Sequence, residues 1–395
     1  MLQDFKLFAD QLQHTTAVLH ETWQVDPDAV RHVIAPYRIC PLGAHIDHQG
    51  GHVLGRTINT GTVLSYAPQD EPQVALLSSE FDGLAHFTLS EPVDESHWAR
   101  YAQAAALALQ QRQPLLKGLV GVASGTLIGA GLSSSASIGL SYLSALAAIN
   151  DMSLTAAELV ELDRQLENDH LGLQNGILDQ SSIVYGQENS FTFIHIREQK
   201  VTAVPDPVDT DGVCWLVVYS GVPRILTDTD YNKRVAECRQ AAQLLQTDAT
   251  ILSDVSPVLF RQEQTVLSAA LQRRARHYFD EVERVSQGAL AWEAGDFERF
   301  GALMNASCSS SIQQYECGHE IIIGLQQTVS STAGIYGSRF SGGGYGGCVV
   351  ALADATQAAA AAETIIAGYR KQFPDKADQA AVYLVHPVDG LQQVG

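Results

Sequence analysis

Basic residues are scarce in this chain. Only 24 lysines and arginines stand against 44 aspartates and glutamates, so the formal net charge is −20 over 395 residues. Such a surface repels the phosphates of nucleic acids and anionic membranes unless it carries a strong basic patch. The densest basic stretch, residues 273–276, lies in a polar helical pattern that is typical of a solvated face. We therefore expect neither a nucleic acid nor a membrane as partner.

Paired cysteines and targeting segments are also missing. Six scattered cysteines without a CxxC pair are typical of reduced cytosolic thiols rather than of a disulfide framework. The N-terminus lacks the basic segment and apolar run of a secretory signal. No apolar run approaches the roughly 18 residues of a membrane span. We expect a cytoplasmic protein, as a monomer or weak homodimer.

The chain is too long for one ordinary core, so its length predicts two domains. Strand and helix patterns are mixed in both halves, which indicates an α+β fold. Prolines 205 and 207 among acidic residues predict a linker at 198–212, and domains at 1–204 and 205–395. The patterns predict strands at 31–34, 53–66, 74–77, 84–89, 119–128, 191–196, 213–219, 348–352 and 381–385, and helices at 98–111, 136–150, 155–170, 177–186, 229–247, 260–288, 295–306, 319–332 and 356–373.

A Ser-rich loop, GAGLSSSAS at 129–137, follows an apolar run and opens an Ala/Leu-rich helical pattern. Glycines let the backbone approach an anion, and the N–H groups and dipole of a helix N-terminus favour negative charge. The hydroxyls of Ser133, Ser134 and Ser135 add donors and one candidate Mg²⁺ ligand. The alternative is an N-cap on a Ser-rich turn. GxxxxGK[ST] is absent, so this is not a Walker-type loop.

A second glycine-rich segment, SRFSGGGYGGC at 338–348, contains a formal GxGxxG. In a dinucleotide-binding fold the glycines follow a strand and open a helix. Here an apolar strand comes after the glycines, so we reject that interpretation. A flexible turn and a wall close to a ligand both remain open.

Two polar clusters complete the candidate site. Arg38 and the loop 43–51 (GAHIDHQGG) lie between predicted strands, where a cluster this dense is not expected in the core. The spacing of His45, Asp47 and His48 is neither HxH nor HExxH, which favours a polar loop for sugar hydroxyls over a metal-dependent hydrolase. Downstream, Asp179 lies in an apolar stretch, either as an anion at a helix N-terminus or as a base with a cationic partner.

These segments, in this order, resemble the galactokinase branch of the GHMP small-molecule kinases. APYRICPLGAHIDHQGG is similar to the family's APGR and GEHTDYNGG, AGLSSSAS to SGLSSSAS, NGILDQ to CGIMDQ, and GGGYGGC to GGGFGGC. The resemblance covers nearly the whole chain. It implies a two-lobed fold with a ribosomal-protein-S5-like N-terminal lobe, a ferredoxin-like C-terminal lobe and an active site in the cleft between them. The implied reaction transfers the γ-phosphoryl group of ATP to the anomeric hydroxyl of a sugar, with Mg²⁺.

The resemblance also implies residue roles. Asp179 is the catalytic base, or orients the C1 hydroxyl, with Arg38 as its partner. Ser135 and Glu167 match the Mg²⁺ positions. The residues implied for ATP are Trp98, Gly129, Gly131, Leu132, Ser133, Ser134 and Ser135. Those implied for the sugar are Ala44, His45, Asp47, His48, Gln49, Gly176, Tyr231 and Gly343.

The departures from the family pattern cluster in the sugar-binding segment. Tyr37 replaces a glycine, His48-Gln49 replaces Tyr-Asn, and Ala44 replaces a glutamate that reaches the C6 hydroxyl. Two unit charges about 4 Å apart repel by about 1 kcal/mol in water and about 4 kcal/mol at an effective dielectric near 20. Losing the glutamate therefore admits a sugar with a C6 carboxylate.

The same segment resembles galacturonate-phosphorylating members of this branch. Our hypothesis is phosphorylation of D-galacturonate at C1, with Asp47 contacting the axial C4 hydroxyl. His48 ranks first as partner of the carboxylate, ahead of Gln49, Arg56 and Tyr231. Galactose, arabinose or glucuronate are alternative substrates. A non-catalytic sugar sensor is disfavoured because the Ser-rich loop, Asp179 and Arg38 are intact.

Overall fold

The computed structural model describes residues 2–5, 8–91, 97–172, 175–223 and 231–395. Mixed helices and sheets confirm the α+β prediction. The strands are β1 Leu2–Asp4, β2 Arg31–Leu42, β3 Val53–Gln69, β4 Gln73–Ser78, β5 Ala85–Thr88, β6 Gly118–Gly125, β7 Ser190–His195, β8 Lys200–Pro205, β9 Val213–Tyr219, β10 Ile335–Phe340, β11 Cys348–Asp354, β12 Ala381–Val385 and β13 Gln392–Val394. The α-helices are α1 Ala9–Trp23, α2 Arg100–Gln110, α3 Ser134–Ile149, α4 Ala156–Gln165, α5 Leu178–Tyr185, α6 Tyr231–Leu245, α7 Pro257–Glu263, α8 Ala269–Glu293, α9 Phe297–Gln313, α10 Glu320–Ser330 and α11 Ala358–Gln372.

The strands form two sheets. An eight-stranded sheet has the order β13-β2-β3-β6-β4-β5, and β7 pairs with β3 and carries β8. A five-stranded sheet has the order β1-β12-β9-β11-β10. The ends of the chain exchange sheets: β1 pairs with β12 (Leu2 with Val382), and β13 pairs with β2 (Gln392 with Ile34). Each half therefore holds one edge strand from the far end of the chain.

The predicted linker at 198–212 is wrong in its first part. Residues Lys200–Pro205 form β8, which pairs antiparallel with β7 from His195 opposite Lys200 to Ser190 opposite Pro205. The prolines and acidic residues of this segment are typical of a linker, but a strand runs up to the first of those prolines. The boundary between residues 204 and 205 stays a prediction.

One hydrophobic cluster spans both halves. Phe191 of β7 lies edge-on to Trp215 of β9 and Trp292 of α8, with ring centroids 5.9 and 4.8 Å apart, and stacks on Phe300 of α9 at 5.7 Å. The same cluster includes buried β2 residues such as Ile39 and Leu42. The strand that carries Arg38 is therefore fixed by the core of both halves.

Helix boundaries follow their capping residues. The helix predicted at 260–288 is two helices, because the Ser268 side chain accepts a hydrogen bond from Leu271 N and begins α8 anew. Thr155 and Glu158 form a capping box at α4. That helix continues at Leu166–His170 as a π-helix, a form frequent at functional sites.

Within the described ranges, no helix has both the length and the apolar character needed to cross a membrane.

Candidate active site

Two cavities border the end of strand β2 that carries Tyr37 and Arg38. The larger, about 620 Å³, is lined by Tyr37, Trp98 and the Ser-rich loop from Gly129 to Ser135. The smaller, about 70 Å³, is lined by Arg38, Asp179, the loop 43–51 and the glycine-rich segment. Successive strand residues point to opposite faces, so Tyr37 and Arg38 serve different cavities. We call the loop at 43–51 the sugar loop, after the hypothesis above.

The Ser-rich loop opens α3 as predicted, but its hydroxyls do not cap the helix. Ser133 occupies the N-cap position without a capping hydrogen bond from its side chain. The Ser133 Oγ atom is buried and has no hydrogen-bond partner among the described residues. Ser134 Oγ accepts a long bond, 3.4 Å, from Gly129 N. These hydroxyls and the first N–H groups of α3 border the larger cavity, an arrangement suited to an anion.

The glycine-rich segment connects β10 to β11 and opens no helix, which confirms that it is not a dinucleotide fingerprint. It packs directly against the Ser-rich loop. Gly347 has a φ of +84°, and a Cβ there would lie 2.3 Å from the Ala130 carbonyl oxygen. Glycine is therefore required for the two loops to approach each other.

Arg38 joins three parts of the site. Its Nε donates to Asp179 Oδ1 at 2.8 Å, and its Nη2 lies 2.7 Å from the same oxygen. Its Nη1 donates to the carbonyl oxygens of Gly131 at 3.2 Å and Ser341 at 3.3 Å. The Arg38 side chain is 4% exposed and that of Asp179 is 20% exposed. Asp179 thus has the cationic partner required of a placed base, yet stays accessible from the smaller cavity.

Asp47 lies near Asp179 at the smaller cavity. Burial, and then the charge of Asp179, raise the pKa of the Asp47 carboxyl to about 6. A Cβ on Gly176 would lie 2.2 Å from Asp47 Oδ2, so only glycine lets this carboxylate pack beside α5. Ala44, His45 and Gly343 line the same cavity. The imidazole of His45 stacks on Tyr315 with centroids 4.7 Å apart.

His48 and Gln49 do not line this cavity, contrary to their assignment to the sugar. His48 Nε2 is bonded to Tyr315 Oη at 3.0 Å and its Nδ1 to Gln49 Nε2 at 2.9 Å. Burial, and then the nearby Arg239, lower the pKa of His48 to about 3, so its imidazole is neutral. Gln49 is fully buried and accepts from Leu252 N. Both residues anchor the sugar loop.

Arg56 is excluded as a carboxylate partner as well. It is 2% exposed, pairs with Asp206 and lies over the Phe191 ring at 4.8 Å. The Tyr231 side chain lies outside the described residues.

The expectation that the cluster around Arg38 avoids the core is wrong, because Arg38, His45 and Gln49 are all buried.

Acidic side chains lie along one face of α4 and the π-helix. Glu167 is buried, and its Oε2 accepts from Asn175 Nδ2 at 3.2 Å. Asp163, one turn earlier, is fully buried, and neither of its carboxyl oxygens has a hydrogen-bond partner among the described residues. Burial, then the charges of Glu167 and Asp179, raise the pKa of Asp163 well above its usual value. Sequence reasoning missed Asp163, although an aspartate four residues before Glu167 in an apolar helical pattern is a signal.

The remaining predicted residues are placed as follows. Trp98 lines the larger cavity, stacks on Phe81 at 6.3 Å, and has a buried Nε1 with no hydrogen-bond partner in the described ranges. Leu132 is buried in the core, and its carbonyl accepts from Arg38 N at 3.1 Å. His45, Asp47 and His48 do not form a metal-ligand cluster. Among the described residues, the group with ligand atoms close enough is instead His52, His195 and Glu198.

The support beneath the sugar loop comes from residues that the sequence did not indicate. Glu281 of α8 accepts from Gly43 N at 2.8 Å, and His277 Nε2 is bonded to the Ala44 carbonyl at 3.1 Å. His277 is neutral, because burial lowers its pKa to about 4. Both residues lie more than 200 positions from the loop that they hold, so no local pattern could have found them.

Family comparisons agree with this geometry. Residues 100–187 match the GHMP kinases N terminal domain, and residues 288–371 match GHMP kinases C terminal. The chain is similar to the galacturonokinase of Arabidopsis thaliana, with 41% identity over 382 residues, covering 89% of this chain and 90% of the relative. The chain belongs to the GHMP kinases.

Three further comparisons bear on its place within the family. A galactokinase of Roseiflexus sp. (strain RS-1) is 32% identical over 388 residues, covering 96% of this chain and 97% of the relative. The crystal structure of Lactococcus lactis galactokinase complexed with galactose superposes with a TM-score of 0.90 at 28% identity, covering 97% of this chain and all of that one. Mevalonate kinase shares the fold at a TM-score of 0.62 and 16% identity. The fold and sequence thus resemble the galactokinase branch over nearly their full length.

Proposed function

We propose that this protein phosphorylates D-galacturonate at C1, using ATP, to give α-D-galacturonate 1-phosphate and ADP. The observation that carries the proposal is Ala44, whose small side chain lines the smaller cavity where the branch has a glutamate. The similarity to a galacturonokinase over nine-tenths of the chain supports it. Galactose and other sugars are the alternative substrates.

The proposed mechanism assigns the transfer to Asp179 and Arg38. Asp179 accepts the proton of the anomeric hydroxyl while that oxygen forms a bond to the γ-phosphorus. The bond from the γ-phosphorus to the β,γ-bridging oxygen breaks, and ADP leaves. Arg38 pairs with the Asp179 carboxylate, orients it, and offsets charge near the transferred group. Positioning and charge neutralisation supply most of the rate in such transfers, and here one guanidinium aligns both loops and the base.

Nucleotide and metal are assigned to the larger cavity and the acidic face beside it. The Ser-rich loop holds the triphosphate, and Trp98 lies beside the adenine. Mg²⁺ favours oxygen ligands, and Ser135 with Glu167 supplies a hydroxyl and a carboxylate. The carboxyl oxygens of buried Asp163, one helical turn before Glu167, have no hydrogen-bond partner within the described part of the chain, which suits a site that binds a cation nearby. When bound, Mg²⁺ would neutralise the charge on the phosphates.

Sugar binding is assigned to the residues that line the smaller cavity. Asp47 and His45 bind hydroxyl groups, while Gly176 and Gly343 provide backbone close to the ring. We assign His48 and Gln49 to holding the loop instead of to the C6 carboxylate. We further propose that the chain divides into two lobes near Pro205, and that it is a monomer or a weak dimer. We also propose a cytoplasmic location, because its six free cysteines fit a reducing compartment.

A coupled ADP-release assay with Mg²⁺-ATP tests the substrate. We expect kcat/KM for D-galacturonate to exceed that for D-galactose at least tenfold, or by about 1.4 kcal/mol. The Ala44→Glu variant should lose galacturonate activity by about 10-fold or more, because a carboxylate in the cavity repels the C6 carboxylate.

Ala44→Gln is the matched control, since it adds the same bulk without charge. If both variants lose galacturonate activity equally, space and not charge determines the choice. A preference of the unaltered protein for galactose would overturn the proposal and leave an ordinary galactokinase.

A further inference from the structure

A histidine-rich cluster lies outside both cavities of the active site. His52 directly follows the sugar loop, His195 is the last residue of β7, and Glu198 lies in the turn that leads to β8. Strands β3 and β7 pair antiparallel with Val53 opposite Ile194. This register places His52 beside His195, and the imidazole centroids are 5.0 Å apart.

The potential ligand atoms converge. One nitrogen of each histidine and a Glu198 oxygen all lie within 4.8 Å of one another, and His52 Nδ1 is 4.0 Å from Glu198 Oε2. Zinc–ligand distances of about 2.0–2.2 Å place neighbouring ligands of a tetrahedral ion roughly 3.3 Å apart. Glu198 is half-exposed, so its side chain can close the remaining gap by changing rotamer.

Hydrogen bonding leaves suitable lone pairs. His52 Nδ1 is buried and has no hydrogen-bond partner among the described residues, an arrangement that costs free energy unless something binds there. His195 Nε2 is bonded to Thr202 Oγ1 at 3.1 Å. When Nε2 is the donor, the lone pair stands on Nδ1, which is how an outer partner orients a metal-binding histidine. Arg197, between these ligands in sequence, contacts the Ser253 carbonyl and Asp254.

We propose that His52, His195 and Glu198 form a binding site for a divalent transition-metal ion, Zn²⁺ in the first instance. Two imidazoles and one carboxylate are ligands that zinc accepts, and a water completes the tetrahedron. The bound ion links the end of the sugar loop to the β7–β8 turn. The site is independent of the proposed function, because none of its residues lines the two cavities of the active site.

The test is calorimetric titration of Zn²⁺ into the metal-free full chain, with Mg²⁺ in excess to occupy oxygen-ligand sites. We expect one Zn²⁺ to bind per chain. His52→Ala and His195→Ala should each weaken binding about tenfold or more, and Zn²⁺ should raise the thermal midpoint of the unaltered chain but not of these variants. The control is His386→Ala, which removes an exposed histidine paired with Asp4 and should bind like the unaltered chain.

Two further measurements distinguish loss of the metal site from misfolding and from metal binding at cysteines. If a histidine variant does not fold, Glu198→Gln replaces it, since this half-exposed side chain contributes little to the core. Co²⁺ in place of Zn²⁺ should give visible d–d bands without a thiolate charge-transfer band. Equal affinity in all variants, or a thiolate band from the buried cysteines, would overturn the proposal.

Discussion

Among single residues, Arg38 determines the geometry of the site. It is buried in a strand, and its guanidinium reaches the Ser-rich loop, the glycine-rich segment and Asp179 at once. Lysine has neither the planar shape nor the number of donors to keep these contacts. The family motif indicated Arg38 and Asp179 as partners across 141 positions, which local patterns cannot do.

We predict that Asp47 makes sugar turnover depend on pH. Because burial and the charge of Asp179 raise its pKa to about 6, the carboxyl is protonated below that pH and ionised above it. An ionised carboxylate accepts stronger hydrogen bonds from sugar hydroxyls, so kcat/KM for the sugar should rise with pH through about 6. Asp47→Asn should remove this inflection and lower kcat/KM about 10- to 100-fold, which corresponds to a charged hydrogen bond of about 1.5–3 kcal/mol.

The measurement is kcat/KM for the sugar from pH 5 to 8, in both proteins, at saturating nucleotide. An inflection near pH 6 that persists in Asp47→Asn would assign the titration to another group.

His48 shows where sequence reasoning reaches its limit. A histidine in a polar loop is indistinguishable in sequence from one that faces a ligand. Its hydrogen-bond partner Tyr315 is 267 residues away in the chain, and the surroundings that such distant residues create determine the charge of its imidazole.

At the scale of elements, helix α8 holds the sugar loop through one buried carboxylate. Glu281 accepts from Gly43 N, lies 2.7 Å from Arg284 Nε, and lies 3.7 Å from Arg339 Nη1. Burial opposes its ionisation, but the Arg284 and Arg339 guanidiniums, with a hydrogen bond from Ser307, outweigh burial and hold its pKa below the usual value. Removing this charge leaves buried arginines uncompensated.

We predict that Glu281→Gln destabilises the protein at pH 7 by about 3–5 kcal/mol. Since the folded-state pKa is depressed, the stabilisation is present above the ordinary glutamate pKa of about 4.3 and is lost as pH falls below it. Urea unfolding midpoints at pH 7 and pH 4 measure the effect, and the difference between the proteins should shrink at pH 4.

Glu283→Gln is the control on the same helix. Glu283 is exposed and accepts a hydrogen bond from Gln287. The free energy of unfolding of Glu283→Gln should therefore stay within about 0.5 kcal/mol of that of the unaltered protein. A loss as large as that of Glu281→Gln would show that helix charge in general, and not the buried network, is responsible.

Element prediction succeeded where apolar residues alternate or recur at helical spacing, as in β3, β9 and β12. It failed for β10, whose sequence IYGSRF places a glycine, a serine and an arginine in a buried strand. Arg339 is tolerated there because it pairs with Glu281 and donates to the Phe340 carbonyl. Tertiary partners of this kind leave no periodic signal in the sequence.

For the whole molecule, the C-terminal segment closes the eight-stranded sheet. Gly390 N donates to the Gly186 carbonyl at 2.9 Å, and Leu391 N donates to the Ile183 carbonyl at 2.8 Å. A Cβ on Gly390 would lie 2.3 Å from the Ile183 carbonyl oxygen. Gly390→Ala should therefore destabilise the fold by about 1–3 kcal/mol, the usual cost of overpacking.

Thermal unfolding measures this, with hydrogen exchange of the β2 amides that face β13 as a second readout. Gly212→Ala is the matched control, because a Cβ there meets nothing within 4 Å. Equal thermal midpoints for the two variants would mean that the C-terminal segment contributes little to the sheet.

The exchange of edge strands links the two halves of the protein in both directions. Its halves are joined by the chain three times: between β1 and β2, between β8 and β9, and between β12 and β13. Any movement of one sheet relative to the other must therefore involve all three crossings together. A protease cut between Pro205 and Val213 would leave two pieces that each hold a strand of the other's sheet, so the nicked protein would stay assembled.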